Sequence, residues 1–357
     1  MVHFYESSII TTTDGLHCQV YSNEHPEGGL IVKPKYIPMD KISSDALQCR
    51  YLSGKRMNRL NMWIEQEKLI EYIEKFKKTY PQYFWVSNLH QNLFFIVPLN
   101  KIEKIYDPRK GLSELMQIPE KFLDIHLRKV YDFVKLVEKS GLAINDLGVT
   151  YSTLVGHYFS EHSDINLVVY GKDNCMKLLQ FLGNVKDPRL RWKTDEEWLH
   201  FRNLRERSST FTKKEFLFQM TRKKTEGFFD ETLFLILGVE EPNETWFKWG
   251  GEKYIPKGFA KVRAVVTNNF DSTVRPGCFE VKNSHIKGMK HLNLTKIVFY
   301  SRDYVLQAMP NEKIEASGLL EKVLPINGMP YYRLVIGYLD SYLSGRRGKE
   351  YIKVIRK

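Results

Sequence analysis

The sequence predicts an α+β protein with an α/β core at its centre, flanked by an N-terminal α+β region and a C-terminal β-barrel. Three observations carry this expectation. The first 50 residues are rich in strand and turn signals. Residues 120–185 alternate helical and strand periodicity. From about Tyr254 short strand patterns recur between turn dipeptides. The expected parts are residues 1–115, 116–250 and 251–357, closely packed, because no low-complexity linker separates them.

In the N-terminal part, "SSIITTTDGLHCQVYSN" reads as two strands around Asp14-Gly15, a hairpin dipeptide. "GGLIVKPKYIP" adds a strand closed by Pro34 and Pro38. A helix is expected from about Glu65, with Ile70, Ile73 and Phe76 on its apolar stripe and Pro81 as its stop. "NLFFIVPL" is a compact strand, and "KIEKIYDPRKGLSELM" a polar connection into a helix.

The core opens with an amphipathic helix over 120–140. Its stripe is Leu123, His126, Leu127, Val130, Phe133, Val134 and Val137, with Gly141 as C-cap. "GVTYSTLVGHYFSEHSDINLVVYG" follows as strand, tight turn, short helix and second strand, and a helix begins near Asp173. Such a unit carries function at its strand tips. Residues 186–228 are very basic and expected to be helical, and Glu231 to Val239 form an apolar strand. The C-terminal part spells five or six strands with turns at Asp271-Ser272, Pro276-Gly277 and Asn327-Gly328.

Composition narrows the function classes. The chain has 357 residues, with 54 Lys and Arg against 42 Asp and Glu, a net charge of +12. That field favours polyanions, here RNA, DNA or nucleotides, although a lysine-rich solvated surface gives the same count. Cys18, Cys49, Cys175 and Cys278 form no C-x-x-C pair. This argues against a cysteine zinc site and fits a reducing cytoplasm. No signal peptide and no run of 18 apolar residues is expected, so the membrane is not a predicted partner.

On a strand, residues i and i+2 face the same way. Asp164 and Asn166 therefore aim at one point, while Ile165 and Leu167 enter the core. Two carboxylates so placed would suit two-metal nucleotidyl transfer, with Mg2+ on hard oxygen ligands and phosphates on the backbone of the preceding turn. The stretch resembles the minimal nucleotidyltransferase signature of the DNA polymerase β superfamily. More widely, the chain resembles a family of archaeal predicted nucleotidyltransferases in "LGVTxSxLxG…SDIxLVVYG", "DEEWL…RERS" and "ASGLLEKV…YYRLVIGY".

The resemblance implies catalytic and metal-binding roles at Asp164 and at residue 166, and nucleotide binding at Tyr151 and Ser152. Two departures weaken the chemistry. The family's second acid is Asn166, and the glycine before Ser152 is Tyr151. Losing one carboxylate beside two divalent ions costs roughly a hundredfold or more in rate. A tyrosine can block phosphate approach, and a positive φ there would be strained. Asp230 and Glu231 are the candidates for a third carboxylate. Asn268 and Asn269 stand where the family's acids are common.

The expected function is nucleic-acid binding on a scaffold whose metal site is degraded, a pseudoenzyme. The alternatives are an active Mg2+-dependent enzyme adding nucleotides to RNA, DNA or protein, and a scaffold for a partner protein. Arg202, Arg205, Lys223, Lys224, Arg346 and Arg347 are the expected phosphate contacts. The aromatics Phe270, Phe279, Phe299, Tyr300, Tyr304, Tyr331, Tyr332 and Tyr338 are either a base-stacking platform or barrel core. Trp192, Trp198 and His126 read as core residues. His157 and His162 flank the motif as capping or exposed residues, or as a general base or metal ligand.

Overall fold

A computed structural model describes residues 3–42, 48–52, 54–59, 66–203, 210–286, 289 and 292–356. Among the described residues the chain is α+β, built on three sheets. The Asp14-Gly15 turn joins strands Ile9–Thr12 and His17–Val20, and Gly29–Pro38 pairs with the second of them. This sheet has eight strands. Among them are Gln48–Leu52 and Lys55–Arg59, which periodicity did not show, and Ile102–Tyr106, which the sequence presented as a polar connection. Helix Gln66–Thr79 lays Leu69, Tyr72, Ile73 and Phe76 into the core of this region.

The central sheet has five strands in the order Leu190–Arg191, Glu226–Phe229, Thr232–Val239, Ile165–Tyr170, Leu147–Val149. Ile165–Tyr170 runs parallel to Thr232–Val239, and the other pairings are antiparallel. Helix Ile125–Glu138 begins later than the pattern suggested, because Asp124 caps it by accepting from the Leu127 amide at 2.8 Å. His126, Val130, Phe133, Val134 and Val137 are buried along its stripe. Helix Pro108–Met116, assigned by sequence to the N-terminal part, places Leu112 and Leu115 in this same core. Its first turn lies so close to Gly148 that a Cβ there would meet the Pro108 backbone at 2.8 Å. The basic segment 186–228 is not one helical run. It contributes the edge strand Leu190–Arg191 and most of its neighbour Glu226–Phe229, as well as helices Asp195–Asn203 and Lys213–Thr221.

The C-terminal part has six strands, starting with Glu252–Asn268. That strand pairs with Gly277–Ile286, which pairs with Leu294–Phe299, which pairs in parallel with Tyr331–Ile336. Tyr331–Ile336 pairs with Lys313–Pro325, which pairs in turn with Glu252–Asn268. The central and C-terminal parts share one hydrophobic cluster, while Ile31 and Phe94 of the N-terminal sheet pack against Cys278 and Val298. Close packing of the three parts, expected from the missing linkers, is what the contacts give.

One buried carboxylate joins all three. Glu6 is 0% exposed. It receives Arg302, lies 3.1 Å from Arg275 and accepts from Ser7 Oγ at 2.9 Å. Gln19 Nε2 donates at 3.3 Å to Glu6 and at 3.1 Å to the Tyr151 hydroxyl, which carries the network into the central part. Glu6→Gln would leave two mostly buried guanidiniums without their counter-charge. The expected loss is about 3 kcal/mol, the lower end of the range for breaking a buried pair, because Arg302 keeps 15% of its side chain exposed. Urea unfolding of the variant beside wild type measures it, and an unchanged midpoint would show that Glu6 does not hold the parts together.

Candidate functional site

The alternation in "SDINLVVYG" does what strand geometry requires. Ile165 and Leu167 are fully buried in the core, while Asn166 turns to the opposite face. That face is the floor of a cleft of about 600 Å³ lying between the N-terminal sheet, the central sheet and the 301–303 turn. Asp164, Asn166, Tyr151 and Ser152 all line it, so the four motif residues are brought together.

Tyr151 begins the four-residue helix Tyr151–Leu154 with φ 56°, the left-handed region where glycine is at ease. A tyrosine held there stores strain of about 1–3 kcal/mol. Two contacts from the N-terminal region oppose it. Gln19 donates to the hydroxyl, and the Lys35 ammonium sits 3.8 Å from the ring centroid. The ring therefore occupies the turn that the family resemblance assigns to phosphate.

The donor set for two divalent ions does not fit. Asn166 is directly opposite Leu235 on the parallel neighbour, and Leu235 and Leu237 line the cleft where a further carboxylate would have to stand. Asp230 and Glu231 are not that carboxylate. They form the turn that precedes Thr232–Val239, five and four residues before Leu235, outside the cleft lining and both at positive φ, and Glu231 pairs with Arg191 at 2.7 Å. Asn269 donates to the Ala308 carbonyl at 3.1 Å and lies outside the cleft lining, as does Asn268. Among the described residues no group of three His, Cys, Asp or Glu gathers to hold a metal. The lining carboxylates are Asp164 and, on the 301–303 turn, Asp303, fewer than hard-cation chemistry with two ions needs.

What the cleft holds is positive charge. Lys33 and Lys35, two apart on Gly29–Pro38, face it together with Arg50 and Arg59 from the next two strands. Arg275 and Arg302 close it from the C-terminal part. Tyr21, Tyr36, Tyr151 and Phe159 stand among them. Sequence reasoning missed all six cations. The only signal was the alternation in "VKPKY", which has no meaning until the strand's partner face is known.

Electrostatics follow from that crowding. Burial holds the Lys35 ammonium well below its ordinary range, and Arg59 and Lys33 push the same way against Asp164. Burial also lowers His157, with Arg50, Arg59 and Lys35 adding to the effect. The Asp164 side chain reaches solvent, yet the surrounding walls raise its carboxyl above the usual range. Lys193 opposes this and Glu226 reinforces it. His162 lines the cleft, whereas His126 is a core residue bonded to Thr153 Oγ1 at 2.9 Å.

The phosphate contacts expected from the basic segments do not form one face. Lys223 is buried and donates to the Asp303 carbonyl, so it is a structural cation. Arg347 is likewise buried. Arg346 pairs with Asp340 at 2.6 Å, and Arg202 donates to the Phe211 carbonyl at 2.6 Å. Lys224 packs 4.6 Å from the Trp192 ring. Arg205 lies outside the described residues. None of the five described residues, Arg202, Lys223, Lys224, Arg346 and Arg347, lines the cleft. Trp198 is buried and Trp192 packs against the same core. Of the C-terminal aromatics, Phe279, Phe299, Tyr300, Tyr304 and Tyr338 are core. Phe270 is exposed, and Tyr331 and Tyr332 are half-buried.

An uncharacterized protein of the archaeon Methanocaldococcus jannaschii is 27% identical over 352 residues, covering 97% of this chain and 98% of that protein. No protein-family model matches the chain, and no solved structure matches it.

Lys35 gives the site a pH signature. Its pKa is lower folded than unfolded, so between those values the unfolded chain binds more protons and stability rises with pH up to about 10.5. Lys35→Met removes a cation that the fold carries at a cost. Its thermal midpoint at pH 7 should exceed that of wild type, and its stability should climb less between pH 7 and 10. A lower midpoint at both pH values would show that the ammonium is stabilising.

Proposed function

We propose that this protein binds single-stranded nucleic acid in the basic cleft, on a nucleotidyltransferase-like scaffold that has lost the transfer chemistry. One observation carries the proposal. Six Lys and Arg side chains and four aromatic rings line the strand end that bears Asp164 and Asn166. Backbone phosphates are neutralised by such cations, and bases stack on such rings. The C-terminal pairings return to the strand they started from, which supports an OB-like barrel beside the cleft. The cysteines are unpaired, which suits a cytoplasmic protein. No described helix is long and apolar enough to cross a membrane.

Active transfer finds less support. Asp164 is the one carboxylate on the motif strand, and Leu235 faces Asn166. A labelled oligonucleotide titrated with protein in EDTA should bind, with log affinity falling against log salt with a slope of about −2 to −4, as several phosphate contacts require. Arg59→Glu should weaken binding at least tenfold. Labelled nucleotides with Mg2+ or Mn2+ should give no product with wild type, nor with Asn166→Asp, because Leu235 still leaves the donor set short. Product from wild type that Asp164→Ala abolishes would overturn the proposal. Absence of salt-sensitive binding would overturn it in favour of a protein scaffold.

A further inference from the structure

The cleft is compact, with Asp164 and Arg59 reaching solvent at its mouth. Its volume, about 600 Å³, lies within the roughly 300–1,000 Å³ of pockets that engulf a small molecule. A groove tracking a continuous strand instead spans about 4–16 nucleotides. Its walls come from three parts of the chain, and the buried Glu6–Arg275–Arg302 contact backs it. A single nucleotide fits such a space.

The charge balance selects which nucleotide. Six Lys and Arg side chains face Asp164 and Asp303 in the cleft and Glu6 behind it, an excess of three positive charges. An internal phosphodiester brings one negative charge. A phosphomonoester brings about two near neutral pH and offers three acceptor oxygens to several donors at once. A triphosphate is disfavoured at both of its usual supports. The phosphate turn is filled by Tyr151 under the Lys35 ammonium, and the divalent-ion site lacks its carboxylates. The cations stand mainly on the N-terminal wall. Leu235, half-buried on the central sheet, offers an apolar contact against which a base can lie, with Leu237 buried beside it.

From these features we infer that the cleft is an end-binding pocket, which takes one nucleotide bearing a terminal phosphomonoester, with the phosphate on the Lys35–Arg59 wall. The inference rests on the nucleic-acid reading above and sharpens it. The same chemistry is presented by the phosphorylated end of a strand and by a free nucleoside monophosphate. The strand end supplies further phosphates to the cations at the rim, Arg50 among them.

The test is fluorescence anisotropy in EDTA with single strands of about ten nucleotides, within the span of one binding site. The strands carry a 5′-phosphate, a 3′-phosphate or hydroxyls at both ends, and free nucleoside monophosphate, nucleoside triphosphate and inorganic phosphate serve as competitors. One phosphorylated end should bind at least tenfold tighter than the hydroxyl strand. Arg59→Ala, at an exposed position, should remove most of that difference. Strong competition by monophosphate, with the strand adding no affinity, would support the pocket and assign it to the free nucleotide. Equal binding of phosphorylated and hydroxyl strands would overturn the end pocket while leaving strand binding intact. Binding of no strand and no nucleotide would overturn both. Tighter binding of triphosphate than monophosphate in EDTA would overturn the preference for a monoester.

Discussion

Everything at this site depends on Glu6. A carboxylate removed from water is costly unless it is paired and hydrogen-bonded. Here the partners come from elsewhere in the chain: Arg275 and Arg302 from the C-terminal part, and Gln19 from the neighbouring strand of the N-terminal sheet. Satisfying one N-terminal acid therefore fixes how two distant regions meet. The cleft is the space left on the other side of that contact. The same Gln19 amide reaches Tyr151, so the joint and the unusual turn are one hydrogen-bonded system.

On the proposed reading, the cleft places a phosphate-bearing ligand without the means of reacting it. A transfer site concentrates negative side chains to hold divalent ions, which in turn hold phosphates. This cleft concentrates positive side chains and can hold phosphates directly. Asn166, Leu235 and Tyr151 all point the same way. None of the three supplies what an ion-dependent site needs, and Tyr151 tolerates left-handed backbone strain at its place. Lys35 is part of the same exchange. Its ammonium is crowded by Lys33 and Arg59, which with burial hold its pKa low, and it rests on the Tyr151 ring.

Local geometry was legible in the sequence. A period of two placed Ile165 and Leu167 in the core and Asp164 and Asn166 in the cleft. A period of 3.6 found the stripe of helix Ile125–Glu138, and the Asp14-Gly15 and Asn327-Gly328 turns fell where expected. Long-range pairing was not legible. Lys33, Lys35, Arg50 and Arg59 lie about a hundred residues before the motif, on strands whose partners no local pattern names. Lys223 and Arg347 read as exposed charge, because sequence does not reveal a distant carbonyl or a closing core. The C-terminal aromatics showed the same ambiguity, and most resolved to core, since alternating rings on short strands serve packing as readily as stacking.

The most direct measurement is ultraviolet crosslinking of a single-stranded oligonucleotide, with the attached residues located by mass spectrometry. Crosslinks at Tyr36, Tyr151 or Phe159, lost in high salt and unaffected by EDTA, are the predicted result. Crosslinks confined to the basic helices around Arg202 and Lys224 or to the tail around Arg346, with none in the cleft, would contradict it.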